Sequence, residues 1–137
     1  MLSLGLRYIF LITILSYILD LSLGKKKCDA KTNTILFFHH FIYTFALIGW
    51  IFNEPFLNFA YMVTIPMYFI LWYIHDDKCI LTEIIKKKCN LDLTYNLNYM
   101  GLSTISKSHL PNRNLQRVYL SSTFVIVLIR MIKQKHL

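Results

Sequence analysis

The chain has 137 residues, 55% of them apolar and 15% aromatic, and carries 15 Lys and Arg against 7 Asp and Glu for a formal charge of +8. A soluble globule of this size has too little interior to bury so much apolar surface, so the composition excludes an ordinary water-soluble domain and calls for lipid as solvent. The positive charge collects in runs beside apolar stretches, which is a topology signal, and no nucleic-acid partner is expected.

A hydrocarbon core about 30 Å thick is crossed by roughly 20 helical residues. Four runs approach that length, and the expectation is one four-span membrane domain over residues 1–137. The first span covers 2–23 and is interrupted only by Arg7 and Asp20. It also has the parts of a cleaved leader: Arg7 at its start, an apolar stretch from Tyr8 to Leu19, and small Ser22 and Gly24 near a cleavage point. Against cleavage, Lys25, Lys26 and Lys27 would then have to be translocated at once, so the segment is read as a span, with Asp20 pairing with these lysines.

The second span covers 34–52 and the third 55–74, with only Asn53 and Glu54 between them, so the two must form a tight antiparallel hairpin. Pro55 suits the first turn of the returning helix, where its missing N–H costs nothing. Pro66 cannot donate to the carbonyl of Met62, which predicts a local kink. Small residues Ala46 and Gly49, facing Ala60 and Thr64, let the hairpin helices approach closely.

Past the third span lies a long loop over residues 75–114. Within it Ile80, Leu81, Ile84 and Ile85 recur at helical spacing against Glu83, Lys86, Lys87 and Lys88, which predicts a short amphipathic helix with Asp77 as N-cap. From Leu91 to Tyr99 apolar and polar residues alternate strictly, the pattern of an extended segment. Residues 101–114, with Pro111, read as linker. The fourth span covers 115–132. The expected fold class is therefore all-α: an integral membrane bundle of four transmembrane helices with a tight central hairpin and a long cytoplasmic loop carrying a short amphipathic helix.

Charge sets the expected orientation. The segment from Lys25 to Asn33 and the loop from His75 to Arg117 hold 11 of the 15 Lys and Arg, whereas the other side keeps Arg7, Arg130, Lys133 and Lys135. Both loops are thus expected to be cytoplasmic and both termini outside. The absence of any Asn-x-Ser/Thr sequon agrees with this, as do three cysteines confined to the cytoplasmic loops. Thiols there stay reduced, and an odd number argues against a complete disulfide framework. Trp50 is expected at the outer interface, and Trp72, Tyr73 and Tyr119 at the inner one.

Two sets of residues are candidates for function. Lys25 to Lys27 and Lys86 to Lys88, each run followed by cysteine, are candidate contacts for anionic lipid headgroups, with Cys28 and Cys89 as juxtamembrane acylation sites. The bland alternative is that the lysines only stop translocation. The second set is His39 and His40 near the start of the second span, with His75 and Cys79 after the third. Imidazole and thiolate are ligands for zinc or another transition metal, so these four are candidate metal ligands, although their spacing matches no established signature. The structural alternative has one histidine bonding across helices and the other reaching to the headgroups. Glycine-rich phosphate loops, nucleophile elbows and His-Glu-x-x-His are all absent from the sequence, and no cofactor is expected outside the metal alternative.

His40 and Gly49, Pro55, Pro66 and Trp72, then Cys79, Leu81, Thr82 and Glu83 resemble a family of small multi-pass membrane proteins of unknown function found in bacteria, with similar sequences in large DNA viruses. The family pattern of Cys-Pro-Leu-Thr followed shortly by Glu is departed from at Ile80 and in the earlier position of Glu83. The resemblance covers residues 36–88, with a fainter echo from His109 through Pro111 to Gln116 and Arg117. It implies a four-helix membrane fold without an assigned activity, and a viral or host internal membrane as its setting. The function expected on these grounds is that of a structural or partner-binding membrane component, with bilayer lipid, a protein partner or a second copy as its contacts. The alternatives are a metal-handling or small-solute transporter, and a membrane enzyme or redox protein using Cys79 with Cys28 or Cys89.

Overall fold

A computed structural model describes residues 3–24, 28–76, 79–89 and 113–135. Its elements are α1 (Leu4–Gly24), α2 (Ala30–Ile48) continued by a 3-10 turn (Gly49–Ile51), α3 (Pro55–Ile74), α4 (Ile80–Lys88) and α5 (Arg113–Lys135). Four of these, all but α4, are long and apolar enough to cross a membrane, as the composition requires. Lys25 to Lys27, Asp77, the alternating stretch from Leu91 to Tyr99 and the linker around Pro111 lie outside the described residues.

The helix boundaries follow local chemistry. α2 starts four residues ahead of the purely apolar run because Asp29, in extended conformation, accepts a hydrogen bond from the Thr32 amide at 3.1 Å and caps the first turn. α3 begins with Pro55 in its first turn, as expected, and runs through Pro66 as one helix to Ile74. It stops where His75 becomes the C-cap and Asp76 takes a positive φ of 49°, a conformation Asp tolerates better than most residues. The amphipathic helix is present as α4, but its N-cap is Cys79 rather than Asp77.

At what we call the turn end, the Asn53–Glu54 connection receives both outer helices. Glu54 Oε1 accepts from the Gly5 amide at 2.8 Å, placing a carboxylate on the N-terminus of α1, where the helix dipole favours it. Asn53 Oδ1 accepts from Asn58 of α3 at 3.2 Å and from Gln134 of α5 at 3.0 Å. Arg130 of α5 donates to the carbonyl of Trp50. The start of α1 and the end of α5 therefore lie together at this end. A Cβ on Gly5 would come within 2.7 Å of Phe52 and Leu57, so glycine there permits the close approach.

The main core combines Ile9, Phe45, Ala46, Leu57, Tyr61, Ile65, Trp72, Leu120 and Val127. α1 packs on α2 and α3 on α5, with the hairpin turn touching both pairs. Tyr61 crosses the core: its hydroxyl donates to the Ala46 carbonyl at 2.9 Å and lies 2.8 Å from Thr123 Oγ1. Gly49 lets the turn close over the same ring, because a Cβ there would stand 3.2 Å from Tyr61 and 2.9 Å from Phe45.

Two aromatic placements differ from expectation. The Tyr119 hydroxyl donates to the Leu47 carbonyl and accepts from Trp50 Nε1 at 2.8 Å, so these two rings meet instead of marking opposite interfaces. Trp72 is 6% exposed beside Tyr68 and Phe69, because its face of α3 meets the core, whereas neighbouring Tyr73 is 89% exposed.

Candidate functional site

The opposite, cysteine end of the bundle is where α1 finishes, α2 begins, and α3 gives way to α4. A second apolar cluster forms there from Leu36 and Ile85, with Tyr17, Leu21, Ile35 and Cys89 packed around it. α4 thus lays its apolar face over the first turns of α2, as its amphipathic pattern dictates.

Cys28 and Cys89 are joined in a disulfide, with Cα atoms 5.0 Å apart. This corrects the expectation of reduced thiols: the odd cysteine count concealed one pair and one free residue, Cys79. Both sulfurs of the pair are occupied, so the disulfide-bonded form has no thiol at Cys28 or Cys89 to acylate. The bond ties the residue before the α2 cap to the residue after α4, across 61 positions of sequence.

The adjacent histidines of α2 face different helices, as a rotation of about 100° per residue requires. His40 is 3% exposed and turned to α1, where Ser16 Oγ lies 2.7 Å from Nδ1 and Asp20 Oδ2 lies 3.1 Å from Nε2. Asp20, also 3% exposed, therefore has His40 as a partner, which the neighbouring lysine run did not suggest. Two helices carry one buried chain of Ser, His and Asp in which each group satisfies the next, as polar groups inside a bilayer must.

His39 is 6% exposed and turned to α4, with Nε2 3.2 Å from Thr82 Oγ1. Neither histidine reaches for headgroups, because both find partners across helices. Among the described residues the Nδ1 of His39 has no hydrogen-bond partner. The Cys79 thiol lies against this ring at the N-terminus of α4. Burial pushes that thiol up, but the stronger combined pull of His39 and of the Thr82 amide and hydroxyl brings it down from 9.0 to about 7. Helix N-termini favour thiolates for the same reason that they bind anions.

Of the four candidate metal ligands, the structure brings together His39 and Cys79. His40 is engaged with Asp20, and His75 is exposed at the C-cap of α3. Among the described residues no three His, Cys, Asp or Glu side chains converge. Of the lysine candidates, Lys87 and Lys88 are exposed on α4. Lys88 is also near Asp29, whose carboxyl is held below its usual range chiefly by its hydrogen bonds with Thr32 and in smaller part by that charge.

Beside His39 and Cys79 opens a cavity of about 300 Å³ between α2, α3 and α4. Its walls include Ile42, Val63, Met67, Leu71, Trp72 and Leu81, with Thr64 and Tyr68 as further polar members. The sequence points to His39, Cys79 and Trp72 but not to this cavity. It arises because α4 folds back toward α2 beside α3, a crossing that no local pattern encodes. No protein-family model, curated protein or solved structure matches the chain.

Proposed function

We propose that this small multi-pass membrane protein is a structural, partner-binding component whose cysteine end docks anionic lipid. The observation that supports it most directly is the closed Ser16–His40–Asp20 chain: the ionisable pair deep between α1 and α2 is a clamp between helices, with its hydrogen-bonding groups turned on each other. A solute path needs polar groups left open to the solute, and this pair is sealed. The metal- or solute-handling alternative rests on His39 and Cys79, two of its four residues. Kinship with the family of small multi-pass proteins in bacteria and large DNA viruses belongs to the same proposal, and it adds a fold without an activity.

In this reading the cysteine end faces the cytoplasm and both termini face away from it. Charge acts while helices insert, before two distant cysteines can meet, so the lysine distribution sets the side. A disulfide on the cytoplasmic side is then one that forms and breaks with redox state, as cytosolic disulfides in general do. Lys25 to Lys27 and Lys86 to Lys88 are the groups that meet lipid phosphates and carboxylates, at about 1 kcal/mol each near the surface.

The full chain reconstituted in neutral vesicles with its cysteine end outward should tether vesicles containing phosphatidylserine and ignore purely neutral ones. Tethering should fall several-fold at about 0.5 M salt, where the screening length is only a few ångströms. It should also fall when Lys86, Lys87 and Lys88 are replaced by glutamine. Equal tethering of neutral and anionic vesicles overturns the docking reading.

A further inference from the structure

In the disulfide-bonded form Cys28 and Cys89 are closed to acylation, and the remaining thiol has the surroundings that those two lack. We propose that Cys79 is a site of covalent S-acylation, taking a fatty acyl group from an acyl thioester and laying the chain in the cavity between α2, α3 and α4. This inference is independent of lipid docking by the lysines.

Four observations converge. Cys79 is the free cysteine and is partly exposed, so a reagent can reach it. It follows the end of α3 by five positions, at the level where the chain leaves its apolar span, so membrane-dissolved acyl donors are concentrated beside it. It lines a cavity of about 300 Å³ with largely aliphatic and aromatic walls, at the lower end of the range for small-molecule sites of about 300–1,000 Å³. The His39 ring stands in the same wall beside the Cys79 thiol, almost wholly buried, and among the described residues its Nδ1 has no hydrogen-bond partner.

A buried polar atom is costly to leave unpaired, so this one, standing in the cavity wall, favours an incoming partner. An acyl thioester supplies what the wall lacks: one carbonyl oxygen for a donor, and behind it a chain for the apolar surface. With the Thr82 hydroxyl donating to Nε2, the ring proton of His39 sits on Nδ1 and can be donated to that oxygen. His39 thereby positions the carbonyl and stabilises the charge that develops on it.

The transfer is a thiol exchange without redox change. The Cys79 thiolate sulfur attacks the carbonyl carbon, and a new carbon–sulfur bond forms. The bond to the donor's sulfur breaks, its electron pair leaves with that sulfur, and the departing thiolate takes up a proton equivalent to the one Cys79 lost to solvent. The product is a thioester on Cys79 and a free thiol.

The test uses the purified full chain in nanodiscs with palmitoyl-CoA, read by intact mass and by release with neutral hydroxylamine. One acyl chain should be added. It should drop at least tenfold in Cys79→Ser, persist when Cys28 and Cys89 are both replaced by Ser, and form about tenfold more slowly in His39→Gln. Leu71→Trp, which narrows the cavity, should suppress transfer from palmitoyl-CoA while leaving transfer from acetyl-CoA intact; unequal loss separates a lined site from a merely exposed thiol. A thermal transition unchanged in Cys79→Ser shows that loss of label is not loss of fold. Label that survives in Cys79→Ser overturns the proposal, as does wild-type labelling no faster than that of the detergent-unfolded chain, or equal loss of both donors in Leu71→Trp.

Discussion

At the turn end, the short connection Phe52–Asn53–Glu54 gathers the helices: Glu54 caps α1, and Asn53 receives Asn58 and Gln134, while Arg130 reaches the carbonyl of Trp50 nearby. At the cysteine end the connections are longer, and the joints are a disulfide and two histidines, each bonded to a helix other than its own. The contrast follows from loop closure. So short a turn has little freedom to lose, and ordinary hydrogen bonds suffice to fix what docks on it. Longer connections sacrifice more entropy when their ends are brought together, and a covalent bond or a buried polar clamp offsets that loss.

If the cysteine end depends on its clamp, Asp20→Ala should damage the bundle more than loss of the disulfide or crowding at the turn end. It strands His40 in the bundle interior, at a cost on the scale of broken buried pairs, about 3–5 kcal/mol. Thermal unfolding in detergent should show this as a large downward shift, and a wild-type transition in Asp20→Ala would mean that the pair clamps nothing. Next in size comes Cys28→Ser, about 2–4 kcal/mol in the chain-entropy account of disulfides. Reducing agent should lower the wild type by the same amount and should leave the variant unchanged. The turn end should yield least: Gly5→Val forces side-chain atoms of Phe52 and Leu57 aside, an overpacking cost of about 1–3 kcal/mol. Were Gly5→Val to prove worse than Asp20→Ala in the same assay, the order of dependence would be reversed.

The parts of this fold that local chemistry decides are legible in the sequence. Apolar run length locates four spans, and the proline after Asn53–Glu54 marks the start of α3, because each depends on a few adjacent residues. Asp29 is within reach of the same logic, since an Asp three residues ahead of a free amide is a capping signal. Run length alone misses it, because the purely apolar stretch begins only after the first turn of α2. The partnership of Asp20 with His40 depends on how α1 rotates against α2, which a sequence separation of 20 does not encode. The disulfide is hidden for another reason: charge and cysteine count both argue for free thiols, and neither contains information about distance. His39 and Cys79 share a metal-ligand chemistry in the sequence, and the structure keeps that pair but gives it an apolar cavity as its neighbour.

The Cys28–Cys89 bond also changes what kind of molecule the chain is. It closes everything between those residues into a ring containing α2, α3 and α4, with α1 and α5 as two tails outside it. A single cut inside the ring leaves one molecule, whereas a cut outside it divides the protein in two. Tension applied at the chain ends would draw out the tails and stop at the junction formed by the two sulfurs. Cys79 and its cavity lie inside that protected circuit.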